Sequence, residues 1–248
     1  MISKEEIKKI KALHRKKKRD EQGLFLVEGL RSVEEVIKSA LSIRKIFLQE
    51  TQQSGIASIT HHPNPVPVTQ KEMARISALT SPPGILAVVE MPGQTKTFGT
   101  KQKTILLDGI KDPGNLGTII RTAHWFSIEQ IICSRDCVDV FNPKTVQASM
   151  GSVAYVPVFY KDLPEFMDLY SQHFLFAGLD MHGQPLPNKN RTEKIPTLIV
   201  GSEAFGLSEE VAQKCHTLLN IPARDNLNKP DSLNASIAAA IAIYHFFG

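Results

Sequence analysis

Residues 108–126 read Asp-Gly-Ile-Lys-Asp-Pro-Gly-Asn-Leu-Gly-Thr-Ile-Ile-Arg-Thr-Ala-His-Trp-Phe, and this stretch decides the fold. An apolar run, Ile105-Leu106-Leu107, ends at Gly109. A loop with Pro113 and three glycines follows, and then Thr118, Ile119, Ile120, Ala123 and Phe126 fall on one face of a helix. Asn115 stands where an N-cap is expected, its side chain able to satisfy orphan amides. Arg121 lies about one turn inside. Strand, glycine-rich bend and helix together predict a site beside a helix start. On this stretch alone Arg121 reads equally well as a solvated charge. The loop is no P-loop, because it lacks the Gly-Lys-Ser/Thr ending, and its glycines do not space as G-x-G-x-x-G.

Working outward, strand and helix patterns alternate through the second half. Strands are expected at 104–109, 129–133, 154–158, 173–179, 197–201 and 217–221, and helices at 116–126, 143–149, 162–171, 208–215 and 232–247. That alternation predicts an α/β domain with a mostly parallel sheet. Ligands in such sheets bind beyond the carboxyl ends of strands. Two further stretches lie there. In Leu198–Ser208 a buried strand runs into a glycine bend, Gly201 to Gly206, holding one carboxylate, Glu203. Glycines at such bends serve turn chemistry at least. In the other, Leu219-Asn220-Ile221-Pro222 is followed after Ala223 by a polar loop and then Ser232-Leu233-Asn234-Ala235-Ser236. Ser232 or Asp231 is the expected cap of the Ala/Ile helix beyond. That helix is apolar on nearly every side and must be buried all round, within the domain or at a subunit interface.

The first half has a different character. Residues 1–103 carry 18 Lys+Arg against 10 Asp+Glu, a surplus of 8, while residues 104–248 carry 11 against 15, a deficit of 4. One half is made to meet a polyanion and the other is not. The segment 1–20 holds Lys16, Lys17, Lys18 and Arg19 beside a thin apolar stripe of Ile7, Ile10 and Leu13, and reads as phosphate-contacting in preference to a frayed tail. Strands at 24–27, 43–48, 66–69 and 85–90 with helices at 28–40 and 71–79 make a small α/β domain over 21–90. Residues 91–103 read as a linker and 104–248 as the second domain.

Three cysteines without a dense framework argue for a reducing, cytoplasmic setting. Cys133 and Cys137 lack the second pair and the histidines a zinc site needs, so no metal is expected. No secretory signal is expected at the charged N-terminus, and no stretch is apolar for long enough to span a bilayer.

The three site stretches resemble, in order, the motifs of the SpoU/TrmH family: N-x-G-x-x-x-R-x-A at 115–123, G-x-E-x-x-G-L at 201–207, and Ile-Pro followed by S-L-N-x-S at 221–236. Any one motif is weak; three in order are specific. F-L-V-E-G-x-R-x-V at 25–33, which includes Arg31, and P-x-G-I-L-A-V-V at 83–89 resemble that family's extra N-terminal RNA-binding domain. The resemblance implies an RNA 2′-O-ribose methyltransferase using S-adenosyl-L-methionine. It implies a C-terminal domain with a deep trefoil knot, an N-terminal α/β domain resembling ribosomal protein L30e, and a homodimer. By motif matching, Gly201, Ile221 and Leu233, with Leu179 as a looser match, would contact the cofactor. Asn115, Arg121, Glu203, Ser232 and Asn234 would line the catalytic side. The basic residues Lys16, Lys17, Lys18, Arg19 and Arg31 would meet RNA, ribosomal in preference to transfer RNA.

Three departures from the pattern stand out. Ala223 and a longer loop, RDNLNKPD, replace Met and a nearby Gly, which bears on cofactor affinity. Gln147 stands for a common Arg. His124-Trp125-Phe126-Ser127 ends in Ser where the family has Gly. The resemblance gives Arg121 the role of base, yet a guanidinium keeps its proton up to a pKa above about 12. A cationic Arg121 holding the adjacent phosphate in a bidentate grip is the alternative. The rival reading of the whole chain is a non-catalytic RNA-binding protein of the same fold.

Overall fold

A computed structural model describes residues 2–52, 65–93, 98–187, 196–223 and 232–248. By internal packing the chain divides into two units, Met1–Lys96 with Asp139–Tyr155, and Thr97–Val138 with Val156–Gly248.

The first unit opens with α1 (Lys4–Ala12) and α2 (Lys16–Gln22), then β1 (Leu24–Glu28), α3 (Leu30–Lys38), β2 (Ile43–Gln49), β3 (Val66–Val68), α4 (Gln70–Ile76) and β4 (Ile85–Glu90). Its sheet runs β1-β4-β2-β3, antiparallel except for the β2–β3 pair. The stripe of Ile7, Ile10 and Leu13 is buried against Phe47, Met73, Ile76 and Leu86. The basic N-terminus is therefore a docked helical layer. α4 starts on a capping box, in which Glu72 N donates to Thr69 Oγ1 and Thr69 N to Glu72 Oε2.

The second unit holds β5 (Thr104–Leu107), α5 (Pro113–Trp125) and β6 (Gln130–Ser134). After a segment that packs in the first unit and carries α6 (Pro143–Ser149) come β7 (Val158–Lys161), α7 (Leu163–Tyr170), β8 (Phe176–Pro185), β9 (Thr197–Val200), α8 (Glu209–Gln213), β10 (Thr217–Asn220) and α9 (Ala235–Phe247). Six parallel strands run in the order β10-β8-β9-β5-β6-β7. β5 and β9 are neighbours at the centre and buried along their length, as a sheet covered on both faces requires. Their carboxyl ends deliver the loops after residues 107 and 200 side by side.

Several expectations shift. The strand expected at 154–158 begins at Val158, because Ser152–Ala154 form a 3-10 turn behind Gly151 and Pro157 has no amide to give. β8 runs on to Pro185, with a break of register against β10 between Leu218 and Leu219. Leu179 therefore sits inside β8, just past its pairing with β9. Ser127, where the family has Gly, takes φ +55, the left-handed region that glycine occupies at least cost. α9 is not buried all round within one chain: Ala239, Ala242 and Ile243 are buried, but Ile237, Ile241 and Tyr244 form an exposed stripe. Residues 94–97 of the expected linker and the loop 224–231 lie outside the described residues. Among those described, no helix is long and apolar enough to cross a membrane.

The segment 139–155, which the sequence places in the second domain, packs instead in the first unit. Phe141 stacks 4.6 Å from Phe25, and Tyr155 Oη donates to the Glu35 carbonyl at 3.0 Å. At Gly151, φ +89, a Cβ would sit 2.5 Å from Glu35 Cβ, so no other residue fits. Asp139 pairs with Arg19. This corrects the assignment of Arg19 to RNA. Only 2% of its surface is exposed, and its Nη1 donates to the carbonyls of Leu13 (2.9 Å) and His14 (3.0 Å). A guanidinium so enclosed cannot reach a phosphate, although its Nε is left without a hydrogen-bond partner. Lys16, Lys17, Lys18 and Arg31 are exposed.

Arg19→Ala leaves a largely buried carboxylate, Asp139, without its partner, a loss of about 3–5 kcal/mol. Urea unfolding should show that shift, whereas replacing Lys16, Lys17 and Lys18 by Gln should move stability by less than about 1 kcal/mol. Equal effects would return Arg19 to the exposed group.

Candidate active site

The loop after β5 enters α5 through Asp112, whose carboxylate accepts from Asn115 N at 2.8 Å with Pro113 at the first helical position. Asp112, not Asn115, is the cap. Asn115 is buried in the first turn, and its side chain turns to the start of α9. There Asn234 Nδ2 donates to Asn115 Oδ1 at 3.0 Å and also to Glu203 Oε1. Glu203 Oε1 accepts in addition from Ala235 N at 3.3 Å. Asn234 Oδ1 takes the amides of Ser236 (3.0 Å) and Ile237 (3.3 Å). It is therefore Asn234 that caps α9, in place of Ser232; Asp231, the other expected cap, lies outside the described residues.

The loop after β9 is clamped on itself. Ser202 and Gly206 exchange two backbone hydrogen bonds of 2.9 Å, and Phe205 N donates to Ser202 Oγ at 3.2 Å. Gly201 is required by this closure, since a Cβ there would lie 2.2 Å from the Gly206 carbonyl carbon. Past the loop, Ser208 N donates to Asp108 Oδ2 at 2.7 Å. Asp108 thus ties the end of β5 to the far side of the β9 loop. The sequence reading named Asp108 only as the start of a stretch; its one signal was an acid placed directly after a buried strand.

Opposite, Lys111 Nζ holds Asp136 through its carboxylate (2.5 Å) and its carbonyl (2.7 Å). Lys111 and then Ser134 keep the Asp136 carboxyl below the usual range. Beneath them the Cys137 thiol is brought down to about 7, first by its hydrogen bond with Cys133 and against the effect of burial. Burial drives Cys133 upward. Among the described residues no group of three or more His, Cys, Asp or Glu side chains is placed to hold a metal.

These parts enclose a cleft of about 380 Å³ lined by Asp108, Lys111, Asn115, Glu203, Phe205 and Ala235 among others. The structure thus brings together Asn115, Glu203 and Asn234. It does not bring Arg121 to them. Arg121 is exposed on α5, six residues beyond Asn115 and so about 9 Å further along the axis and on another face. No hydrogen bond or ion pair engages it among the described residues. Ser232 and Leu233 are exposed just ahead of Asn234, and Leu179 and Ile221 are half-buried at β8 and past β10.

The SpoU rRNA Methylase family model matches residues 102–244, and a model of the MRM3-like substrate binding domain matches residues 4–87. A Bacillus subtilis (strain 168) protein named 23S rRNA (guanosine(2553)-2′-O)-methyltransferase RlmP is 31% identical, covering 98% of this chain and 96% of its own. A solved structure of a putative TrmH-family RNA methyltransferase from Porphyromonas gingivalis superposes with a TM-score of 0.82 at 33% identity, covering 99% of this chain and 98% of that one. The AdoMet-bound rRNA methyltransferase of Sinorhizobium meliloti gives 0.80 at 27% identity, covering 99% and 95%.

Two substitutions separate the roles of Asn234. Asn234→Ala removes the cap and the bridge, and should cost about 1–2 kcal/mol. Asn234→Asp keeps an oxygen for the helix amides but sets a second carboxylate against Glu203. It should hold stability closer to the wild type while speeding amide hydrogen exchange at Phe205 and Gly206. Unchanged exchange there would mean that the bridge does not hold the loop.

Proposed function

The chain belongs to the SpoU rRNA methylase family, and from that premise we propose that it transfers the methyl group of S-adenosylmethionine to a ribose 2′-hydroxyl of RNA, ribosomal in preference to transfer RNA. The observation that carries this reading is the junction of Asn115, Glu203 and Asn234. Three segments, 119 residues apart at the widest, join two uncharged amides and one carboxylate at the cleft that Asn115 and Glu203 line. The Bacillus subtilis relative, named for 23S rRNA and aligned over nearly the whole chain, supports the choice of RNA.

The residues suit such a donor. Leu179 within β8, Ile221 just past β10 and Leu233 just ahead of α9 are apolar side chains left partly open, and Gly201 leaves the β9 loop free of a side chain there. That combination suits a purine held by apolar contact and backbone groups. The donor supplies an activated methyl on a sulfonium. This chain supplies position and charge. Glu203 fixes Asn234, and through it Asn115, so that amide groups facing the ribose need no reorganisation during reaction. Arg121, cationic and without a side-chain partner among the described residues, grips the phosphate beside the target ribose and orients the hydroxyl.

The same reading extends to assembly. The stripe Leu233, Ile237, Ile241 and Tyr244 with Trp125 is exposed and suits a homodimer through α5 and α9, which pack on each other. The return of the chain from edge strand β10 to α5 and β9, with its entry pinned to the β9 loop, supports a trefoil knot. The first unit, with its exposed lysines and mixed four-stranded sheet, acts as the RNA-binding domain, of the ribosomal protein L30e kind. The setting is the cytoplasm.

Arg121→Ala should lower single-turnover methylation of unmodified 23S rRNA by on the order of 10²–10³, with calorimetric cofactor affinity unchanged. Arg121→Lys should not rescue, because a point charge lacks the planar fork. Near-normal methylation by the Ala variant would remove Arg121 from the chemistry. Replacing Lys16, Lys17 and Lys18 by Gln should flatten the salt dependence of RNA binding by up to about 2–3 in log–log slope; an unchanged slope would put the RNA elsewhere.

A further inference from the structure

Phe205 is 90% exposed, the most exposed of the large apolar side chains described, and it stands in the wall of the cleft. Scattered exposed apolar residues are ordinary. This one is not scattered. It lies two residues from Glu203, whose carboxylate binds Asn234. Its backbone is fixed by the Ser202–Gly206 pair and by Ser202 Oγ, and the loop's far end by Asp108. A ring on so constrained a loop has few torsions left to freeze when it meets a ligand.

The charge around it selects the part of a nucleotide that it meets. Among the described residues, Asp108, Asp112, Asp136 and Glu203 line the cleft against one cation, Lys111, itself paired with Asp136. A phosphate is repelled from such a wall, whereas an uncharged base is not. Unpaired RNA bases stack on exposed aromatic side chains, and such stacking accepts any base.

We propose that Phe205 stacks on the base of the nucleotide whose ribose enters the cleft, and so sets the angle at which the 2′-hydroxyl is presented. This rests on the reading of the protein as an RNA ribose methyltransferase. Phe205 is then a substrate-positioning residue that touches neither cofactor nor the reacting oxygen.

The test uses the full-length protein, unmodified 23S rRNA and labelled S-adenosylmethionine. Phe205→Ala should lower kcat/KM for RNA by roughly 5- to 100-fold, the range of a lost base–aromatic stack. Phe205→Trp and Phe205→Tyr should stay within about threefold of the wild type, and cofactor affinity should not change. The decisive arm is an RNA made abasic at the nucleotide that the wild type methylates. On it, wild type and Phe205→Ala should react equally. A defect that persists on abasic RNA, normal kcat/KM for Phe205→Ala, or its dissociation to monomers in light scattering would each overturn the stacking role. No transfer by the wild type would overturn the methyltransferase reading itself, and stacking with it; transfer by the wild type with an indifferent Phe205→Ala would overturn stacking alone.

Discussion

The carboxamide of Asn234 is the interaction on which the second unit's working end depends. An Asn side chain offers two donors and one acceptor oxygen. Here the nitrogen donates to Asn115 and Glu203, while the oxygen receives the first amides of α9. One planar group thus joins the loops after β5 and β9 and the start of α9. The β9 loop closes on itself through the Ser202–Gly206 pair, and the Asn234 carboxamide ties it to the starts of α5 and α9. Gly201 and Asp108 complete the frame, the first by letting the β9 loop close without a side chain, the second by anchoring its exit. The sheet order makes this possible: β5 and β9 must be neighbours for their loops to meet.

Charge is divided between the units to match. The first carries the basic surplus on an outer helical layer, and the cleft of the second is acidic. Burial of Arg19 limits the basic surface to fewer residues than the sequence count suggests, and converts one of its charges into a tie to Asp139.

The strand–helix alternation and the three site stretches were legible because they rest on local rules: apolar periodicity, glycine at bends, and motif order. Capping positions differ from the sequence expectation where two candidates stand close together. Asp112-Pro113 carries the stronger start signal, an acid followed by proline at the first helical position, and Asn234 stands nearer to the first apolar turn than Ser232. Arg19 was not separable from Lys16–Lys18 by charge alone, since its partner lies 120 residues away. For the same reason the sequence could not place 139–155 in the first unit: what holds it there is contact with Phe25, Glu35 and Arg19. The exposed stripe on α9 shows the limit of composition, which signals apolar demand without showing how much of it one chain meets.

The proposed reaction is the transfer of a methyl group to a ribose oxygen of RNA. Alkaline hydrolysis of RNA needs a free 2′-hydroxyl, so a methyl placed there leaves one phosphodiester uncut. The direct measurement is alkaline digestion of 23S rRNA labelled by the purified protein from methyl-labelled S-adenosylmethionine. The expected result is label in an alkali-resistant dinucleotide from one site. Label recovered only in single nucleotides, carried on a base, would contradict it.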